Sequence, residues 1–176
     1  MADGAFQERR GLPSVEAETG GLREALEDCH AAAWRWALRC CHGEADAARD
    51  LLHDVYLAVL DQRARFMGRS SFKTWLFGVI RMSARAARRK RIMRSILFEP
   101  MADLDQFAAD PAPIPDAAPI QRALARLPRR QREVAILVFE HDLTLEDAAR
   151  AMGVSVGSAR THYARAKEKL RQTLSI

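Results

Sequence analysis

The sequence predicts an all-α protein: two small helical domains joined by an extended, acidic, proline-rich linker, with a helix-turn-helix as the C-terminal domain. Three observations predict it. Apolar residues recur at three- and four-residue steps over most of the chain. No stretch of four or more residues alternates cleanly with a β-branched bias. Five of the seven prolines, at 100, 111, 113, 115 and 119, fall in one window that also lacks any cation. With 176 residues, 48% of them apolar and 29% charged, the chain can bury one ordinary core or two small ones and is too hydrophobic to be wholly disordered.

Residues 1–20 contain two glycine breaks and a proline and read as a loose tail. Residues 21–97 hold 15 basic and 8 acidic side chains, a balance of +7, and form the first domain. Its helical steps run through Leu22, Ala25, Leu26 and Cys29, then Ala48, Leu51, Leu52, Val55, Tyr56 and Val59, then Trp75, Leu76, Val79 and Ile80. Residues 98–119 hold five carboxylates and no cation; each proline there removes a backbone donor and disfavours helix in its predecessor, so the segment reads as the linker. Residues 120–176 hold 11 basic and 6 acidic residues, +5, and form the second domain. Concentrating cations in two blocks suits a polyanionic partner.

The second domain carries the sharper local signals. Pro128 stands where a helix begins, and Val134, Leu137 and Val138 share one face of the run that follows. Thr144 with Asp147 three residues on is a variant capping box, its hydroxyl and carboxylate expected to satisfy first-turn amides. Gly153 can take the left-handed conformation that ends a short helix, and Ser155 caps the next. Two helices joined by a tight glycine turn, with small Ala149 where they must approach, make a helix-turn-helix. On the second of them Ser158, Arg160, Thr161 and Arg165 lie opposite the packing residues Val156, Ala159, Tyr163 and Ala166. That polar face can enter a major groove.

In residues 66–91 aromatics alternate with cations: Phe66, Phe72, Trp75 and Phe77 among Arg69, Lys73, Arg81, Arg85 and Arg88 to Arg91. An unpaired base needs a flat apolar surface to stack on and a cation for its phosphate, whereas a duplex reader has no need of the rings. Phe66 and Phe72, beside Gly68 and two serines, are the expected base contacts; Trp75 and Phe77 are expected in the core. Upstream, Asp50 and Asp54 at an i, i+4 step beside Leu51, Val55 and Tyr56 could dock a basic, amphipathic partner element.

Taken together, RDLLHDVYLAVL, FMGRSSFKTWLFGVIRMSARAARRKR and LPRRQREVAILVFEHDLTLEDAARAMGVSVGSARTHYARAKEKL resemble, in order, the polymerase-binding, promoter-melting and promoter-binding segments of the extracytoplasmic-function (ECF) sigma factors of bacterial RNA polymerase. The resemblance covers about residues 22–97 and 119–174. It implies that Asp50, Leu51, Asp54 and Tyr56 dock on core polymerase. It implies that Phe66, Ser70, Ser71, Phe72, Lys73, Arg81 and Arg85 capture the unpaired non-template strand of the minus-ten element. Ser158, Arg160, Thr161 and Arg165 would read the minus-thirty-five element. The acidic linker would thread the polymerase's RNA path, and an anti-sigma factor would be a partner that holds the protein inactive. Arg49, His53 and Met82 depart from the family's usual acidic residue, glutamine and asparagine.

Other classes fit less well. A stand-alone helix-turn-helix regulator shares the C-terminal pattern but has no use for the ring-and-cation segment. For an enzyme, the five histidines are scattered, and no phosphate loop or nucleophile setting is present. No cofactor is expected. Nor is a metal, because Cys29-His30 and Cys40-Cys41-His42 stand eleven residues apart, roughly 16 Å along a continuous helix at about 1.5 Å per residue. The longest apolar run, Val134 to Phe139, is far short of the roughly 20 residues of a membrane span. With no basic, greasy leader the protein is expected in the cytoplasm, its three cysteines reduced.

Overall fold

A computed structural model describes residues 15–98 and 119–174. Among them there are seven helices and no strand: α1 (Val15–Cys40), α2 (Ala45–Leu60), α3 (Phe72–Phe98), α4 (Pro119–Ala125), α5 (Arg129–Phe139), α6 (Leu145–Met152) and α7 (Val156–Leu174). The all-α expectation holds. Helix α1 begins at Val15, so the last residues expected in the tail are helical, with Gly20 and Gly21 inside the helix. The expected linker lies, but for its ends, outside the described residues.

The first module packs α1 against α2 and α3. The turn between α1 and α2 needs left-handed backbone at His42 (φ 58°) and Gly43 (φ 89°). From α2 the i, i+3, i+4 set Ala48, Leu51, Leu52, Val55 and Val59 is buried, as its period requires. It meets Leu76, Phe77 and Ile80 of α3 and Trp36 of α1, all buried.

The second module is built on local caps. Thr144 Oγ1 accepts the Asp147 amide at 3.1 Å, and Gly153 ends α6 at φ 61°. The Asp147 carboxylate does not return to an amide as the capping box predicts; it accepts from the Thr144 hydroxyl at 2.9 Å and from Arg150 at 3.2 Å. Ser155 Oγ accepts the Ser158 amide at the start of α7. Arg132, which sits unfavourably near the positive end of α5, has another employment: its guanidinium donates to the carbonyls of Leu124, Ala125 and Leu127 at 2.7–3.0 Å and closes the C-terminal end of α4.

The two modules share one buried core, because α6 lies on α3. A Cβ placed on Gly78 would stand 3.8 Å from the Ala151 Cα, and two small residues permit that approach. At the junction the Trp36 and Phe77 rings stack (centroids 5.7 Å apart), and the His141 imidazole meets both edge-on, at 6.0 and 4.7 Å. Trp36 Nε1 donates to the Phe77 carbonyl at 3.1 Å. His141 is 1% exposed, and neither ring nitrogen has a protein partner. Burial, reinforced by the charges of Lys73, Arg35 and Arg39 and opposed by Asp142, pushes its pKa down to about 4.

Two outcomes are expected of this core. Trp36→Ala removes the largest buried side chain at the junction and should cost about 3–5 kcal/mol in denaturant unfolding. His141 contributes fully above its ordinary 6.5, and that stability should be lost as pH falls through about 4, on the order of 3 kcal/mol in all. The wild-type chain should therefore show a steeper loss of stability between pH 6.5 and 4 than His141→Leu; equal slopes would refute the assignment.

Candidate nucleic-acid and polymerase interface

The outer face of α2 presents Asp50 and Asp54 to solvent, one turn apart. Leu51, expected among the docking residues, is only 7% exposed, and Val55 is buried too: both belong to the stripe that faces α1 and α3, so neither is available to a partner. Tyr56 is half-buried, its hydroxyl 3.1 Å from His30 Nδ1 and its phenol pushed up to about 12 by burial, with Cys29 adding a smaller push. The apolar member of the exposed face is instead Leu57, 40% exposed and three residues beyond Asp54. The spacing 50, 54, 57 carried that signal. Arg49, the departure from the family pattern, pairs with Asp46 at 2.8 Å on the same exposed surface.

At the start of α3, Phe66, Phe72 and Trp75 form a mutual cluster, with all three centroid separations 5.4–5.5 Å. Each ring is half-buried. Phe77 is in the core as expected; Trp75 is not, because it sits one side of the helix away, with the loop ring Phe66. Gly68 (φ 67°) turns the loop that brings Phe66 back onto α3. Ser71 caps α3, its Oγ accepting the Thr74 amide at 3.1 Å and lying 2.8 Å from the Thr74 hydroxyl, while Ser70 Oγ donates to the Ser71 carbonyl. The Ser71 hydroxyl is thus committed to helix geometry. Met67, next to Phe66 in the chain, and Met82, further along α3, are 70% and 64% exposed.

Lys73, Arg81 and Arg85 follow along α3. Arg85 is exposed, and its guanidinium pKa is lowered chiefly by the neighbouring positive charge of Arg81. Arg81, expected at the surface, is 3% exposed: it grips Glu133 of α5 with two hydrogen bonds, 2.7 and 3.3 Å. Lys73 is half-buried, its Nζ donating to the His141 carbonyl at 2.6 Å. The reason is the same for both, since the second module covers this side of α3.

On α7 the polar face is where the period places it. Ser158, Arg160, Thr161 and Arg165 are exposed, and Ala159 and Ala166 are buried. Arg160 pairs with Glu146 of α6 at 2.9 Å, which ties the two helices of the motif across their open side. Ser158 and Thr161 hold local bonds, to Ser155 Oγ and to the Gly157 carbonyl. The arrangement can meet phosphate and base edges without moving a helix.

Nothing in the described residues gathers metal ligands: no group of three or more histidines, cysteines, aspartates or glutamates stands together. Cys29, Cys40 and Cys41 are free thiols, and burial pushes all three pKa values up, Cys40 most. Thiolate, the reactive form, is therefore scarce. Nor is any described helix long and apolar enough to cross a membrane.

Residues 26–92 match the sigma-70 region 2 family and residues 117–170 match sigma-70 region 4. The ECF RNA polymerase sigma factor SigF of Caulobacter vibrioides is 31% identical over 164 residues, 93% of this chain and 90% of that one. SigM of Mycobacterium tuberculosis is 27% identical over 175 residues, 97% and 88% of the two chains. Among solved structures, the sigma factor RpoE of Bartonella quintana, crystallised with the anti-sigma factor NepR, superposes with a TM-score of 0.67 at 27% identity, covering 89% of this chain and 98% of that one. CnrH, solved in complex with the cytosolic domain of CnrY, shares the fold (TM-score 0.61, 21% identity, 92% of each chain). Two matched regions in family order, together with a relative similar over nine-tenths of its length, place the chain in the ECF sigma factors of RNA polymerase.

Proposed function

We propose that this sigma factor uses its three exposed faces for three separate tasks. Residues 21–97 bind core polymerase through Asp50, Asp54, Leu57 and the rim of Tyr56, and hold the unpaired minus-ten strand on Phe66, Phe72 and Trp75, with the exposed Arg85 supplying a phosphate contact; Lys73 and Arg81 are engaged by the His141 carbonyl and by Glu133. Residues 120–176 read the duplex minus-thirty-five element with Ser158, Arg160, Thr161 and Arg165. The single observation that carries this reading is the contrast between the faces: three rings packed together beside cations on one module, and a ring-free polar helix face on the other. Single strands reward stacking; duplex grooves reward hydrogen bonds.

No chemistry is asked of the chain itself. Binding energy for exposed bases offsets part of the cost of separating strands, and the work is done in the cytoplasm, where polymerase and DNA meet. The acidic segment 98–119 offers charge that imitates RNA and would yield to growing transcript by competition. A protein inhibitor of the anti-sigma class is proposed as a partner by analogy with RpoE, which was captured with one.

Runoff transcription with purified core polymerase on a promoter library tests the reading. Promoter selection that does not change when the chain is added, or DNA protection by the chain alone that core polymerase leaves unaltered, would overturn it. Within that assay, Arg165→Ala should weaken promoters that depend on the upstream element by about 1–3 kcal/mol and leave the others unchanged. Phe72→Ala should lower strand opening, followed by permanganate reactivity of unpaired thymines, by about 1–3 kcal/mol for each lost stacking contact while sparing duplex affinity.

A further inference from the structure

Six arginines surround one small cavity at the junction of the modules: Arg39 of α1, Arg81, Arg85 and Arg88 of α3, and Arg129 and Arg132 of α5. Glu133 is the single carboxylate among the described residues that line it. Half of these cations have acceptors of their own: Arg39 pairs with Glu140, Arg81 with Glu133, and Arg132 closes α4 on three carbonyls. Arg85, Arg88 and Arg129 do not; among the described residues they make neither a hydrogen bond nor an ion pair. A second feature adds to the excess of positive charge. Arg129 opens α5, and no side chain caps that helix, so the positive end of its dipole stands at the same cavity. The Arg85 guanidinium registers the crowding: its pKa is lowered most by the Arg81 charge, then by partial desolvation and by Arg130 and Arg129.

The geometry points to a binding site for a short polyphosphate chain, a di- or triphosphate free or carried by a nucleotide, seated between Arg85 and Arg88 of α3 and Arg129 of α5. Guanidinium is the side chain matched to phosphate, since its fork offers paired donors in one plane. Three unpaired forks from two helices suit an anion with several connected charges better than a lone carboxylate. Size separates this occupant from DNA. The cavity measures about 70 Å³, room for about five waters at roughly 10–15 Å³ each, which takes one or two phosphate groups and excludes a strand. A nucleoside, where one is attached, would lie outside it. Like charges gathered without counter-ions repel one another, and a bound polyanion turns that repulsion into attraction. Arg85 is also the cation proposed above for the minus-ten strand, so an occupied site withholds it from DNA. This last consequence rests on that reading; the site itself does not.

Titration calorimetry on the full chain, at fixed ionic strength and without divalent metal, tests the site with inorganic tripolyphosphate. One-to-one binding is expected with a Kd on the order of 10 μM, about tenfold tighter than inorganic phosphate. A nucleoside triphosphate that binds equally well marks the phosphate chain as the whole ligand, and tighter binding assigns the nucleotide as its source. Arg129→Gln and Arg88→Gln, each removing one fork, should weaken tripolyphosphate about tenfold. Arg63→Gln removes the same charge from the turn after α2, where Arg63 pairs with Asp61, and should change affinity less than about twofold. Circular dichroism checks that each variant keeps its helices. Equal weakening by all three variants would mean diffuse attraction of an adventitious ion only and overturns the proposal, as does the absence of saturable binding at millimolar anion. At about five times its Kd, tripolyphosphate should also weaken binding of a labelled single-stranded oligonucleotide roughly fivefold, and far less in Arg129→Gln. If the anion binds as stated and strand affinity does not change, the site stands and the assignment of Arg85 to the strand falls.

Discussion

The packing of α3 against the second module is the constraint on which the rest of the structure depends. One side of α3 completes the first module's core through Leu76, Phe77 and Ile80, and another receives α6 at Gly78. Because a single helix serves both cores, Trp36, Phe77 and His141 form one aromatic knot instead of two separate interiors. A charged layer surrounds the knot, with Arg81–Glu133 buried and Arg39–Glu140 nearer to solvent. A buried pair of this kind adds little net stability relative to apolar packing, but losing either partner strands a charge.

What could be read in the sequence was what depends on neighbours a few residues away. Helix period, the Thr144 and Ser155 caps, the Gly153 stop and the polar face of α7 all follow from local geometry, and each stands where the residues placed it. What could not be read depends on contacts across tens of residues. Nothing near Arg81 in the chain announces that Glu133 will bury it, and nothing near Lys73 points to the His141 carbonyl. Period put Leu51 on the stripe that must be buried, while its place beside Asp50 and Asp54, and then the likeness to a family, drew it to the surface. Trp75 failed in the other direction: its spacing matches Leu76 and Val79 closely enough to pass for core, while the loop that returns Phe66 to it is invisible to a helical pattern.

Charge is distributed by the same logic. The cations are concentrated in the two described helical modules, while residues 98–119 hold five carboxylates, five prolines and no cation, so attraction for a polyanion belongs to the modules. Some of that positive charge also has a structural use: Arg132 closes α4, and Arg130 joins Arg81 on Glu133 at 3.3 Å. Counting arginines thus overstates the number free to meet DNA.

The three rings at the head of α3 have an entropic consequence. Phe66, Phe72 and Trp75 lie tilted or edge-on to one another, at interplanar angles of 45–85°, so each fixes the rotamers of the other two. Freezing a side chain on arrival of a ligand ordinarily costs about 0.5–1.5 kcal/mol. If these rings hold unpaired bases as proposed, their mutual packing already restricts them before a base arrives, and a nucleotide swinging out of a helix would meet a seat largely set in advance.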